Sequence, residues 1–375
     1  MPVVLLAGAF GQGNLGDEAL LRAFVQALPD WRVTVTTDDP ASAEELGCGP
    51  VPSRRAAVAR AASSADAVVV GGGTMFKTLH PASARRPHAL LVNAAALVGL
   101  SSALRRPVAL VGVGAGSLGE RRSRRLSRFV VRHADLLILR DEESAAELSR
   151  AGASGPFRVG ADPAWTLLEP PDARSVHDRS VLIAPSIFAA GADGWGGMIE
   201  RLAETVRRLL AAGVEVRVQP WQLAPRGATV DDGTIAAALV ARFGGSIDLL
   251  PKPATIGAAA QSMVGTGTVL SFRFHALVAA AAAGVPTVAV VHESKLGAMA
   301  RRLEQRAAPV DFEPGALATQ VLHAVDAPGP PPAVIKEQIG LAEEGFRLLR
   351  VLLSRGRSLE SDTLGALPLA PSPSP

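Results

Sequence analysis

TVLSFRFHALVAAAAAGVPTVAVVHESK, residues 268–295, is the stretch whose reading decides the fold. Val269–Ser271 reads as a short buried strand and Ala276–Ala283 as a helix without a polar side chain. Gly284-Val285-Pro286 ends that helix, and Thr287–Val291 reads as a second buried strand. In a parallel α/β sheet, ligands bind outside the carboxyl ends of the strands. Arg273, His275 and Lys295 all follow such ends. A guanidinium, an imidazole and an ammonium beside a helix N-terminus suit a compact, multiply charged anion. The plainer reading is that Arg273 and His275 cap and solvate a turn, but a turn needs fewer polar groups than the segment provides. Lys295 adds weight, because the chain has four lysines against thirty-four arginines.

The same alternation extends in both directions. Upstream, strands are expected at Val3–Leu6, Arg32–Thr36, Asp66–Val70, Pro107–Val113, Leu136–Leu139 and Phe157–Val159. Helices are expected at Leu15–Leu28, Arg54–Ala65, Ala89–Leu104, Arg121–His133 (basic and amphipathic) and Ser144–Gly152. A polar, Pro-containing break at 168–179 separates this from a second set: Ser180–Pro185, Gly197–Ala212, Glu215–Gln219, Asp232–Phe243 and the elements leading to residue 270. Two Rossmann-like domains with doubly wound parallel sheets follow, at 1–167 and 180–327, in a GT-B-like architecture. Residues 328–357 form a Pro-rich linker and a C-terminal helix, and 358–375 have the Ser/Pro/Ala composition of a disordered tail.

Composition narrows the function classes. The 375 residues are 48% hydrophobic, enough for two cores, and the net charge is only +3. With 4% aromatics and no basic-aromatic interleaving, a nucleic-acid groove is not expected. Cys48 is the only cysteine, so no intrachain disulfide framework is expected and a reducing, cytoplasmic location is. The N-terminus has no basic region ahead of its apolar residues, and no apolar run reaches spanning length.

Gly11-Gln-Gly13-Asn-Leu-Gly16 follows a strand and opens a helix, with Asp38 about where a ribose-binding acid would stand in a dinucleotide fold. Asp17 and Glu18 argue against that use, since they put two carboxylates where a pyrophosphate needs positive potential. The loop is better read as a close approach to substrate, with Asn14 and Asp17 offering polar contacts. Asp17 as an N-terminal helix cap is the alternative.

GAFGQGNLGDEALLRAF, the GGGT of 71–74, LRDEESAAEL at 139–148, GADPAW at 160–165 and RFHALVAAAAAGVP at 273–286 occur in one order. Together they resemble the polysaccharide pyruvyl transferases, especially those that add ketal pyruvate to cell-wall or exopolysaccharide sugars. The resemblance implies phosphoenolpyruvate as donor and a saccharide or lipid-linked glycan as acceptor, which would bring the enzyme to a membrane surface. It implies no cofactor or metal, and the sequence offers no clear metal-ligand cluster. It places the essential Arg and His on Arg273 and His275, a second Arg on Arg140 and a cation on Lys295, around one donor site. Asn14, Asp17, Gly72, Gly73 and Thr74 are the candidates for the acceptor, since glycines admit the backbone and amide, carboxylate and hydroxyl groups hold sugars. After GGGT the chain departs from its relatives: Lys77-Thr-Leu-His80-Pro stands where Gln and Asp are common. Such a reaction asks for several fixed cations and a group titrating near neutrality, which Arg and His supply. The competing class is a nucleotide-sugar glycosyltransferase of the same architecture. Those enzymes usually hold the ribose with a Glu in the helix that here contains no acid. A non-catalytic binding protein is the third class, separated from the others by turnover.

Overall fold

The computed structural model describes residues 1–79, 86–171, 178–190, 194–223 and 231–355. His80, part of the polar break (172–177) and the 358–375 tail lie outside the described residues.

The described strands form two parallel sheets. The first contains β1 (Val3–Phe10), β2 (Arg32–Thr37), β3 (Gly49–Pro52), β4 (Ala67–Gly71), β5 (Thr74–Phe76), β6 (Val108–Ala115), β7 (Leu136–Leu139) and β8 (Arg158–Val159). Its order is β3-β2-β1-β4-β6-β7-β8, with β5 paired to β6. The second contains β9 (Ser180–Ala184), β10 (Glu215–Val218), β11 (Asp248–Leu249), β12 (Thr268–Ser271), β13 (Thr287–Val291) and β14 (Arg306–Pro309), in the order β11-β10-β9-β12-β13-β14. Both orders reverse direction beside their first strand, at β1/β4 and at β9/β12. These are the switch points at which doubly wound sheets bind ligands. The fold class expected from the sequence is therefore present, with helices on the sheets and a long C-terminal helix, Pro332–Arg355.

The central strands are covered on both faces, so they are apolar without alternation: every residue of β4, β6, β7, β9 and β12 is buried. The helix Phe274–Ala282 has all its residues buried except His275, and its alanines let it lie close to neighbouring elements. Where the sequence expectation differs, short or Pro-bearing elements are the cause. β3 is an edge strand of sequence GPVP, where proline is tolerated because one side of the ladder is unpaired. β5 has three residues, too few for a pattern. The helices Ser294–Arg302 and Pro314–Val325 and strand β14 also went unread.

Two compact units emerge from the chain's internal contacts. The first comprises residues 1–12, 20–166 and 338–375, and the second comprises 13–19 and 167–337. The glycine-loop segment 13–19 thus belongs with the second sheet, and the C-terminal helix from Gln338 onward with the first. In the first unit, Phe24 meets Phe346 edge-on at 5.1 Å, and Arg350 donates to the carbonyl of Ala27 at 3.4 Å. These contacts pack the C-terminal helix against the helix Leu15–Ala27.

Gly112 is a bulge in β6. The register with β7 slips between Val111 and Val113, and Gly112 has φ of +66°. A Cβ there would strike the ring of Pro163. Gly112→Ala should therefore cost at least about 2 kcal/mol, combining left-handed strain with overpacking. A thermal melt of the variant checks this.

Candidate functional site

Three strands of the second sheet end around one buried carboxylate. Asp232, fully buried in the first turn of the helix Asp232–Val240, accepts from the backbone N–H of Ile187 at 3.2 Å, Trp221 at 3.3 Å and Gln222 at 3.0 Å. It also accepts from Arg273 Nε at 2.8 Å and from Arg273 Nη2. Ile187 follows β9, Trp221 follows β10 and Arg273 follows β12, so these are adjacent strand ends at the switch point. Arg273 is buried; its Nη2 also donates to Gln222 Oε1 at 3.0 Å, and its guanidinium lies 5.4 Å from the Phe188 ring centroid. Nη1 has no hydrogen bond to the described residues. Arg273 precedes the helix Phe274–Ala282 but makes no side-chain cap, so the turn-capping reading does not account for it. The sequence reading passed over Asp232. Its signal was an Asp-Asp pair at a helix start, which is indistinguishable from a cap; Asp231 is indeed the cap.

The glycine loop is fastened to this cluster within the second unit. Leu15 N donates to Trp221 O at 3.0 Å, Leu223 N donates to Gly13 O at 3.2 Å, and Asn14 and Gln222 form an antiparallel bridge. A Cβ on Gly13 would strike the Leu223 backbone, and one on Gly16 would strike the His275 ring. The glycines thus admit protein groups, with Gly16 making room for His275. Gly11 packs against Thr37 and Asp39 in the first unit, where Asp38 accepts from Gln12 Nε2 at 2.6 Å. Asn14 takes the capping role considered for Asp17, its Oδ1 accepting from Gly16 N at 3.2 Å.

Asp17 accepts from Asn14 Nδ2 at 2.8 Å. The residue is part-exposed as a whole, but its carboxylate is enclosed by protein, and that enclosure raises its pKa above the ordinary 3.8. The positive fields of His275, Lys295 and Arg273 and the Asn14 hydrogen bond oppose the rise without cancelling it. Lys295, in the first turn of the helix Ser294–Arg302, pairs with Glu293 at 2.6 Å. Lys252, which the sequence reading did not single out, pairs with Glu18 at 3.0 Å. His292 is another such residue: its Nε2 lies 3.0 Å from the carbonyl of Phe272, and burial pushes its pKa below 6.5.

Arg140, Gly72, Gly73 and Thr74 belong to the first unit. Arg140 is buried, its Nε 3.1 Å from Asp141 and its Nη1 3.9 Å from the fully buried Asp162. Asp141 also caps the helix Glu142–Arg150 through Ser144 N at 2.8 Å. Two of the sequence motifs, LRDEES and GADP, therefore meet in one ion cluster. Gly72 and Gly73 have φ of +67° and +71° at the β1/β4 switch point, and a Cβ on Gly72 would strike Leu20. Thr74 opens β5, and Lys77 follows it. Among the described residues there is no group of three or more His, Cys, Asp or Glu side chains arranged to hold a metal, and no helix is long and apolar enough to cross a membrane.

The family model for polysaccharide pyruvyl transferase matches residues 14–294, from Asn14 in the glycine loop to Ser294 beside Lys295. The chain belongs to the polysaccharide pyruvyl transferase family. No curated protein sequence matches it significantly. Among solved structures it is similar to the UDP-GlcNAc 2-epimerase of Methanocaldococcus jannaschii in complex with UDP-GlcNAc and UDP, with TM-score 0.60 and 14% identity, covering 94% of this chain and 100% of that one. Anabaena Alr3699/HepE in complex with UDP-glucose gives TM-score 0.58 and 14% identity over 94% and 98%. S. aureus MnaA with UDP gives 0.61 and 11% over 96% and 99%. At such identities the likeness concerns the two-domain, GT-B-like fold.

Two stability outcomes follow. Arg273→Ala strands the buried Asp232 carboxylate, at a cost of about 3–5 kcal/mol, and Asp232→Ala strands the guanidinium. The double variant should lose less than the sum, and a double-mutant cycle by denaturant unfolding reads that coupling. For Asp17 the folded pKa lies above the unfolded one, so its favourable contribution is full below 3.8 and is lost as pH rises through the folded value. Asp17→Asn should therefore be at least as stable as the native chain at neutral pH, and lose that advantage as the pH is lowered towards 3.8. Melts across this range check it.

Proposed function

We propose that this family member transfers pyruvate from phosphoenolpyruvate to a saccharide of a cell-wall or exopolysaccharide precursor, forming a ketal and releasing phosphate. The observation that carries the reading is the family match across 14–294, whose span includes Asn14, Asp17, Lys252, Arg273 and His275 of the second unit and ends one residue before Lys295.

The chemistry suits those groups. Phosphoenolpyruvate presents a carboxylate and a phosphate on three carbons. Lys295 and Lys252 are the exchangeable cations in this proposal, because their pairs with Glu293 and Glu18 are part-exposed. A pair reached by solvent gives up its carboxylate to an incoming anion more readily than a buried pair does. The buried Arg273–Asp232 pair is not exchanged; it fixes the guanidinium and offers Nη1. A proton is delivered to C3, leaving positive character at C2. One sugar hydroxyl adds there, phosphate leaves, and a second hydroxyl closes the ketal. C3 gains one proton while the two hydroxyls lose two, and the departing phosphate carries the balance. His275 and Asp17 are assigned to this proton traffic: an imidazole can both accept and donate a proton, and the enclosed carboxyl of Asp17 holds its proton more tightly than an ordinary Asp. We assign Asn14 to hydrogen-bonding the acceptor. Gly72, Gly73 and Thr74 remain acceptor candidates, now placed in the first unit, and the burial of Arg140 among two acids suits it to holding that unit together.

A nucleotide-sugar donor is the second reading, favoured by the UDP named in the similar structures. The helix Phe274–Ala282 contains no acid to hold a ribose, which weighs against it.

Phosphate release from phosphoenolpyruvate, measured over a panel of hexose and N-acetylhexosamine acceptors, tests the proposal, with UDP-sugars as the competing donors. His275→Ala should lower turnover roughly 10²–10⁴-fold, and Lys295→Met should chiefly raise the KM for phosphoenolpyruvate. Turnover of a UDP-sugar with none of phosphoenolpyruvate would select the second reading.

A further inference from the structure

The helix Arg121–His133 is the part of the first unit that neither the sheet nor the ion clusters explain. It contains Arg121, Arg122, Arg124, Arg125, Arg128 and Arg132 and no acid. The net charge of the whole chain is only +3, so everything outside this helix is net negative. Ser123, Ser127, Val130 and Val131 form its buried face, and all six arginines are exposed. Two of them are engaged locally. Arg124 donates to the carbonyls of Leu118 and Gly119 at 3.2 and 2.8 Å, and Arg128 donates to that of Ala151 at 3.2 and 3.1 Å. Arg121, Arg125 and Arg132 lie along one line of the helix with Arg122 beside them, and none has an ion pair among the described residues.

This arrangement works against the helix itself. Arg121 and Arg122 stand at the positive end of its dipole, and Arg121/Arg125 is a like-charged pair one turn apart. An apolar ring shares the same face: Phe129 is 36% exposed. The helix Ala89–Ala103 runs alongside in the same direction, with His88 3.2 Å from Ser123 near one end and Gly99 against the Phe129 ring further on. A soluble polyanion would neutralise the arginines and leave the Phe129 ring in water. A bilayer with anionic lipid satisfies both features, headgroups taking the guanidiniums and the acyl boundary taking the ring.

We propose that the outward face of the helix Arg121–His133 docks this protein on anionic lipid bilayers, through Arg121, Arg122, Arg125 and Arg132 at the headgroups and Phe129 at the acyl boundary. The argument uses contacts inside the first unit only and stands independently of the transfer reaction.

The test is co-sedimentation of the full chain with vesicles of phosphatidylcholine, with and without phosphatidylglycerol, at low and high salt. Binding is expected only with phosphatidylglycerol present and should weaken with salt. The triple variant Arg121→Gln, Arg125→Gln, Arg132→Gln should lose roughly 100-fold in affinity, at about 1 kcal/mol for each arginine at an anionic surface. Its melting temperature should not fall, since repulsion has been removed. Phe129→Ala, a second and independent variant, should weaken vesicle binding several-fold. Native binding by the triple variant overturns the proposal. So does Phe129→Ala binding as the native chain does, combined with inorganic polyphosphate binding as tight as that to the vesicles; that outcome would mark a site for soluble polyanions.

Discussion

The second unit depends on the Asp232–Arg273 pair. Strands β9, β10 and β12 lie side by side, and each delivers a donor to the Asp232 carboxylate: Ile187 N, Trp221 and Gln222 N, and the Arg273 guanidinium. A buried carboxylate is costly unless paired and fully hydrogen-bonded, and here five hydrogen bonds from three strand ends meet that requirement. The arrangement also fixes what lies further out. Trp221 and Gln222, held by Asp232, present the edge to which Asn14 and Leu15 attach. His275, two residues beyond Arg273, then occupies the space that Gly16 leaves open.

Charge in this region is divided by burial. Arg273 is neutralised by an acid with no solvent exposure, so its position is fixed. Lys295 and Lys252 are paired with part-exposed glutamates, so solvent screens those pairs more than it does Arg273–Asp232. The same difference in solvation raises the pKa of Asp17 although three cationic groups act on it: enclosure of its carboxylate outweighs their attraction. Residues spread along the chain from Asp17 to Lys295 thus supply one rigid cation, two with part-exposed partners and a proton-retaining acid, because each sits at a different depth.

In the first unit the same logic is turned to structure. Arg140 is countered by Asp141 and Asp162, and Asp141 caps a helix at the same time. Gly114 lies against this guanidinium, where a side chain would intrude. Motifs apart along the chain thus meet in one buried cluster. The helix Arg121–His133 is the opposite case, since its charges are exposed and uncompensated by neighbours on its own surface.

By itself, the sequence determined the fold class and most of its elements. Buried parallel strands are apolar throughout and helices are periodic, so β7, β13 and the helix Arg121–His133 could be bounded to the residue. It also picked out His275, Lys295 and Asp17 as chemically unusual. It could not show that Gly13 and Gly16 are glycines because Leu223 and His275 press on them, since those contacts join residues more than two hundred positions apart. Nor could it identify Asp232, Lys252 and His292, or move 13–19 to the second sheet. Local pattern reports which face of an element is buried. The depth of a charge, the partner that compensates it and the space left beside a glycine are set by chain segments that meet only on folding, and these the tertiary structure alone decided.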